Sequence, residues 1–358
     1  MPRGASANCA LQPPRAILLS NLGHLGDVIV STAVMPLLRQ AFPNVRIGWL
    51  VGSWAHSVLE GHVNIDRIHC VDHFLANRQD LPLSQKLARH IQSHRVAKSE
   101  IRAADYDTAI DFRWHFPNAL PLLWQCRIPV RIGYGTGGFG RLATHCVDFD
   151  DRLLNVSQRL LNLAAVLPIG AAQADQLLPS IPLPTGMPAS IEALVAGGRP
   201  IVILHIGAGA SYKEWPIESW RRLAENCVSD GFNAVFTGHG DRECAMAKRI
   251  GEGRSGCLDL TGRLTWAEQV ATVAAANVVV TGDTSASHVA SAARTPCVVL
   301  MPGRFPYLWR PMGDRVTSLT SDVPCSPCHR SYGCTGMECI RTISDSSVLD
   351  AVRGYLRR

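Results

Sequence analysis

Residues 277–303, NVVVTGDTSASHVASAARTPCVVLMPG, decide how this chain folds. Val278 to Val280 form a β-branched apolar run of the kind that suits a strand buried on both faces inside a parallel sheet. Gly282-Asp283-Thr284-Ser285 stops that strand and supplies helix N-cap chemistry; a short helix of small residues then leads to a second apolar strand. The backbone N–H groups of Thr284, Ser285 and Ala286 are expected to be free at the positive end of the helix dipole. A phosphate or diphosphate is the natural occupant of such a place. His288, one turn into the helix, can point at the same spot. The plainer alternative is an ordinary capped turn with a half-exposed histidine.

The same alternation runs outward on both sides. Upstream lie IVILH (201–205), a helix over 216–229, FNAVFTG (232–238), a helix over 241–251, LDLTG (258–262) and a helix over 265–275. The first half reads likewise: AILLS (16–20), a Gly-rich turn, a helical stretch over 28–42, VRIGWLV (45–51), RIHCVD (67–72), a long polar helix through 80–104, YDTAID (106–111) and VRIGY (130–134). Strands alternating with helices predict βαβ units and parallel sheets. A Pro- and Gly-dense stretch from 179 to 199 suits neither element and marks a boundary. The expected fold is therefore α/β, two doubly wound Rossmann-like domains facing a cleft, the first over 1–180 and the second from 181. Ligands of such folds sit at the carboxyl ends of the strands.

Composition agrees with two ordinary cores: 358 residues, 47% hydrophobic and 18% charged. The N-terminal stretch has no apolar leader before Ala16, and no run reaches the roughly 18 to 20 apolar residues of a membrane span, so a cytoplasmic protein is expected. The net charge of +6 is carried almost wholly by arginine, the only lysines being Lys86, Lys98, Lys213 and Lys248. Such a balance fits an anionic ligand, an anionic membrane surface or nucleic acid. Nucleic acid is disfavoured: there are no RNA-recognition aromatics, no zinc-finger spacing and no dense basic run along one helix.

Three further turns carry candidate chemistry. Asn21-Leu-Gly-His-Leu-Gly-Asp27 occupies the place of a dinucleotide fingerprint but reads GxxG, and no acidic residue closes the next strand, which argues against a nicotinamide or flavin oxidoreductase. It does place one carboxylate, Asp27, at a helix start; a favourable first-turn acid is the simpler reading. In His205-Ile-Gly-Ala-Gly-Ala-Ser-Tyr-Lys213, Gly207 and Gly209 permit close backbone approach and Lys213 brings a cation, a combination suited to phosphate. Gly238-His-Gly-Asp-Arg-Glu243 ends another strand, where Glu243 or His239 can meet a ribose or base. Last, Cys325, Cys328, Cys334 and Cys339 form a CxxC-x5-C-x4-C cluster within a chain of 12 cysteines. It is open between a structural Zn or Fe site, reduced thiols without metal, and redox chemistry.

Taken in order and spacing, these segments resemble the heptosyltransferases, glycosyltransferase family nine. The resemblance rests on ILLSNLGHLGDVIVSTAVMPLLRQAFPNVRIGWLV (17–51), RIGY (131–134), LHIGAGASYKEWPIESWRRLA (204–224), the 281–303 run, Trp309-Arg-Pro-Met-Gly313 and the Cys325-Ser-Pro-Cys328 block. It implies a GT-B fold with an acceptor-binding first half, a nucleotide-sugar-binding half over 181–343, and a terminal helix over 344–358 that packs back on the first half. It also implies an inverting transfer that requires no metal cofactor. By the same resemblance Asp27 is the general base, and Lys213, Asp283, Thr284, Ser285 and His288 serve the donor. Arg131 and Arg113 face an anionic, phosphorylated glycolipid acceptor. The implied partners are ADP-heptose and a lipopolysaccharide core at the inner-membrane surface. Ser285 stands where the family usually has glycine, and the donor loop lacks the threonines of the best-known enzymes. Another nucleotide sugar, a protein acceptor, or an inactive nucleotide-binding homologue therefore remain as alternatives.

Overall fold

The computed structural model describes residues 11–151, 155–251, 256–303, 306–328, 330 and 333–357. The stretch before residue 11, most of the segment read above as lacking an apolar leader, lies outside them. The chain divides into two compact units, the first reaching Gln176 and the second running on from Leu177, with Asn155 and Val156 counted to the second.

Six strands build the first unit: β1 Ala16–Asn21, β2 Arg46–Val51, β3 Arg67–Cys70, β4 Thr108–Asp111, β5 Val130–Tyr134 and β6 His145–Val147. The second has β7 Ile201–His205, β8 Asn233–Thr237, β9 Cys257–Asp259, β10 Val278–Gly282, β11 Cys297–Leu300 and β12 Val316–Leu319. Their sheet orders are β3-β2-β1-β4-β5-β6 and β12-β11-β10-β7-β8-β9, and every pairing is parallel. Each is the doubly wound order in which the chain starts in the middle, works to one edge and returns to build the other. The reversal falls between β1 and β4 in the first sheet and between β7 and β10 in the second. At that switch point two adjacent loops diverge and leave a crevice beyond the strand ends.

The central strands Ala16–Asn21 and Val278–Gly282 are buried along their full length, as their apolar runs require. The helical stretch read over 28–42 is three pieces, Leu25–Ser31, a 3₁₀ turn Thr32–Val34 and Met35–Ala41. The break precedes Pro36, whose ring and missing N–H are tolerated only in a helix's first turn.

The terminal helix, Asp345–Leu356, corrects the expectation that it packs on the first half. Val348, Leu349 and Val352 lie in one core cluster with Val202, Leu204, Trp215 and Trp220 of the second unit.

 Its spacing of apolar residues gives it one face to bury, and the sheet of its own unit takes it. Two bidentate ion pairs fix it there, Arg222 to Asp345 at 2.9 and 3.3 Å and Arg353 to Asp230 at 2.7 and 2.9 Å. The Trp215 indole N–H also donates to Ile343 O at 3.0 Å. Among the described residues no helix is long and apolar enough to cross a membrane.

Candidate functional site

In the first unit the loops after β1 and β4 meet at the switch point. Asp27 lies in the first turn of the helix Leu25–Ser31, where its Oδ2 accepts the His24 N–H at 2.7 Å. Asn21, the last residue of β1, holds the turn from inside: its amide donates to Asp27 O at 3.0 Å and to Ser31 Oγ at 2.7 Å, and its Oδ1 accepts the Gly23 N–H at 3.0 Å. The Arg113 guanidinium stands 3.5 Å from Asp27 Oδ2, with both side chains largely enclosed. The His24 and Arg113 contacts both fall on Oδ2. Gly23 is required by this crowding. A Cβ there would stand 2.5 Å from Asp27 Oδ2 and 2.7 Å from Arg113 Nη1.

Arg113 is held by residues that sequence reasoning passed over. Asp111, at the end of β4, is fully buried and accepts from Ser20 Oγ at 3.1 Å, Arg113 N at 3.3 Å and Ala119 N at 2.7 Å. Burial nevertheless pushes its carboxyl up to about 6, because desolvation outweighs those donors and the nearby Arg113 charge. The visible signal was an acid closing an apolar strand, TAID. His115 also belongs to this site: enclosure and the Arg113 charge pull it down to about 4, with Asp27 acting in the opposite direction.

Arg131 is not brought there. It lies near the start of β5, in register with Ala109 rather than with the strand ends, and its guanidinium donates to Leu142 O at 2.7 Å and to Ile128 O. It ties down its own loop, so of the two expected acceptor arginines only Arg113 stands beside Asp27.

The second unit repeats the plan. Lys213, in the short turn Ser211–Lys213 after β7, reaches the turn after β10 and places Nζ 2.6 Å from Asp283 Oδ2. Thr284 caps the helix Ser285–Ala293 and accepts the Ala286 N–H at 3.3 Å, while Thr281 Oγ1 bonds Thr284 Oγ1 at 3.0 Å. Of the three amides expected to be open, the cap has taken that of Ala286. Those of Thr284 and Ser285 donate to no protein group among the described residues. Ser285 occupies the first helical position, where the backbone suits any L residue, so a side chain in place of glycine creates no backbone strain there. His288 is buried, only 3% exposed, rather than half-exposed.

Glu243 is also placed differently from the expectation that it meets a ribose or base. Its carboxylate accepts the His239 N–H at 2.7 Å and an N–H from Ala208, and lies against Gly207 and Gly238. Burial raises its pKa despite these bonds. It thereby joins the β7 and β8 loops, and a Cβ at Gly207 would stand 2.3 Å from Glu243 Oε2 and displace that carboxylate. Gly209 is exposed two residues on. His205, the polar end of IVILH, pairs with Thr237 Oγ1 at 3.0 Å, and burial draws it down to about 4. It is therefore neutral at pH 7.

Of the three alternatives for the cysteine cluster, a four-thiolate metal site is not assembled among the described residues. Cys339 is turned into the apolar core of the second unit, whereas Cys325 and Cys334 are exposed and Cys328 lies between these extremes. Burial pushes the Cys339 thiol up, and the Cys334, Cys325 and Cys328 thiols add to that shift. Among the described residues no three His, Cys, Asp or Glu side chains are gathered to hold a metal ion. Among the described residues that arrangement does not fit Zn or Fe, and no chemistry is assigned to either.

Known proteins resemble this chain in sequence and in fold. A family model described as Glycosyltransferase family 9 (heptosyltransferase) matches residues 94–336. The chain is 24% identical over 314 residues to lipopolysaccharide heptosyltransferase 2 of Salmonella typhimurium, covering 84% of this chain and 86% of that one. Among solved structures, the glycosyl transferase family 9 protein of Veillonella parvula matches with a TM-score of 0.78 and 20% identity, over 96% of this chain and 97% of that one. The E. coli ADP-heptose LPS heptosyltransferase II matches at 0.72 and 18% identity, over 96% and 98%. The fold is that of these proteins, two Rossmann-like domains of the GT-B type.

Proposed function

The chain belongs to glycosyltransferase family 9, the heptosyltransferases, and is a glycosyltransferase; from that premise we propose that it transfers heptose from ADP-heptose to a lipopolysaccharide core acceptor. The observation that carries this reading is the pair of charged contacts at the two switch points, Asp27 with Arg113 and Lys213 with Asp283. A carboxylate beside a cation suits deprotonation of a hydroxyl on a phosphorylated acceptor. A cation beside two open amides at a helix start suits a diphosphate.

In this mechanism Asp27 Oδ1 takes the proton of the acceptor hydroxyl as its oxygen attacks the anomeric carbon. Arg113 holds the carboxylate through Oδ2 and faces the acceptor's anionic groups. The bond from the anomeric carbon to the diphosphate oxygen breaks on the opposite side, so configuration inverts and ADP leaves with the electron pair. Charge developing on the diphosphate meets the Lys213 ammonium and the Thr284 and Ser285 amides, which are already oriented and need no rearrangement. Asp283 keeps the ammonium at the helix mouth, and Glu243 holds the neighbouring loop. We place the enzyme in the cytoplasm at the inner-membrane surface, where its acceptor would be anchored. Transfer from ADP-heptose to a core acceptor, lost in Asp27→Asn, tests the proposal. Undiminished transfer by that variant would exclude Asp27 as the base.

A further inference from the structure

The helix Leu83–Ala104 carries a face that the core of the first unit does not use. Its buried residues, Ala97, Ile101 and Ala104, lie toward its C-terminal end. Nearer the start, Leu83, Leu87 and Ile91 recur at four-residue spacing, which stacks them along one side. They are 61%, 38% and 52% exposed. Three aliphatic side chains in line differ from the scattered apolar exposure of any surface. Ring contacts extend the patch: His90, on the same helix, lies 4.8 Å from His73, which lies 5.2 Å from the exposed Phe116. Burial pulls His73 down to about 4 and lowers His90 and His94 as well, which disfavours charge on these imidazoles.

Beyond Ile91 the face turns cationic. Arg95, Lys98 and Arg102 follow at intervals of four, seven and eleven residues, which keeps them on the same side. The helix has one acid, Glu100, and it is engaged by His69 Nδ1 at 2.9 Å. At the cationic end the exposed Trp124 sits on the neighbouring helix Leu120–Gln125, whose Gln125 O accepts from Arg102 Nη2 at 2.8 Å. Aliphatic side chains followed by cations, with an exposed tryptophan among them, match an anionic lipid surface. The apolar groups enter the acyl boundary and the cations meet phosphates.

The helix follows β3 and precedes β4, so it runs back along the parallel sheet and starts at the strand ends that carry Asp27 and Arg113. His73 lies edge-on to Phe116 at 5.2 Å, and Arg113 Nε donates to the O of the next residue, Pro117, at 3.2 Å, which places the apolar end beside the site. We propose that the Leu83–Arg102 face docks the first unit on an anionic phospholipid bilayer and so presents a lipid-anchored acceptor to Asp27. The role of the acceptor rests on the function proposed above; the docking itself is tested separately.

The full chain is sedimented with vesicles of phosphatidylglycerol and phosphatidylethanolamine, and with phosphatidylcholine vesicles alone. Wild type is expected on the anionic vesicles only, and released by about 0.5 M salt. Arg95→Gln/Lys98→Gln should lower partitioning about 25-fold, since each basic residue near an anionic surface contributes roughly fivefold. Leu87→Gln/Ile91→Gln should lower it by about tenfold or more. Both variants should keep the parent's melting temperature and its transfer to a deacylated, soluble acceptor. Unchanged vesicle binding in both variants, or equal binding to phosphatidylcholine, overturns the docking face while leaving the transferase reading intact. A wild-type dimer in sedimentation velocity that both variants dissolve would also overturn it, by giving the face to a second copy. Absent soluble transfer with intact vesicle binding would instead sink the proposed reaction.

Discussion

Replacing Lys213 or Asp283 singly and together shows whether their contact clamps the two loops of the second switch point. At 2.6 Å, with side chains 21% and 12% exposed, the pair is neither free in water nor sealed from it. Taking an effective dielectric of about 20, the gross attraction is about 6 kcal/mol. Desolvation and side-chain ordering remove most of that, leaving a coupling of about 1–3 kcal/mol. Lys213→Ala and Asp283→Asn should therefore each loosen the loops by a similar amount, and the double variant by little more than either. The assay is native-state hydrogen exchange of the amides from 206–213 and 284–287, read as opening free energies. Amides of the helix Leu25–Ser31, in the other unit, serve as the internal control and should not move. Additive effects, with a coupling below about 0.3 kcal/mol, would refute the clamp.

Two further outcomes follow from the first unit. Gly23→Ala forces Asp27, Arg113 and Asn21 apart, since the added Cβ would stand 2.5, 2.7 and 2.7 Å from their polar atoms. Transfer should fall by about a hundredfold at a stability cost of about 1–3 kcal/mol; a variant as active as the parent would show that the turn tolerates repositioning. His73 supplies a pH test. Its folded pKa of about 4 lies below the unfolded value of about 6.5, so the unfolded chain takes up a proton first as pH falls, and stability is lost between those values. The loss is up to about 3 kcal/mol, and Asp111, raised to about 6, works in the opposite sense by stabilising the protonated fold below that pH. His73→Gln should therefore be less acid-sensitive than the parent in thermal melts from pH 7 to 4; parallel curves would discount His73.

What the sequence disclosed was local and periodic. IVILH and VRIGY coincide with β7 and β5 to the residue, because apolar runs closed by polar or glycine residues define a buried parallel strand without reference to anything distant. Asp27, Lys213 and Asp283 could be singled out because each lies in a turn directly after a central strand. Their pairing could not. Lys213 and Asp283 are 70 residues apart, and their contact depends on a strand order that no local pattern states. Arg131 looked equivalent to Arg113 until its register on β5 placed it below the rim. Glu243 is a plausible ribose ligand by position alone; two glycines that admit its carboxylate against the backbone turn it into a brace. The cysteine spacing allowed a metal site, but the apolar surroundings of Cys339 decided its orientation.

The most direct measurement is the rate of sugar transfer from ADP-heptose to a heptose-deficient lipopolysaccharide core, by wild type and by Asp27→Asn, with ADP affinity determined on the same preparations. The account predicts turnover by wild type and a loss of about 10²–10⁴ in the variant, with ADP affinity retained. Turnover by Asp27→Asn within tenfold of wild type, or none by wild type with any ADP-activated sugar, would contradict it.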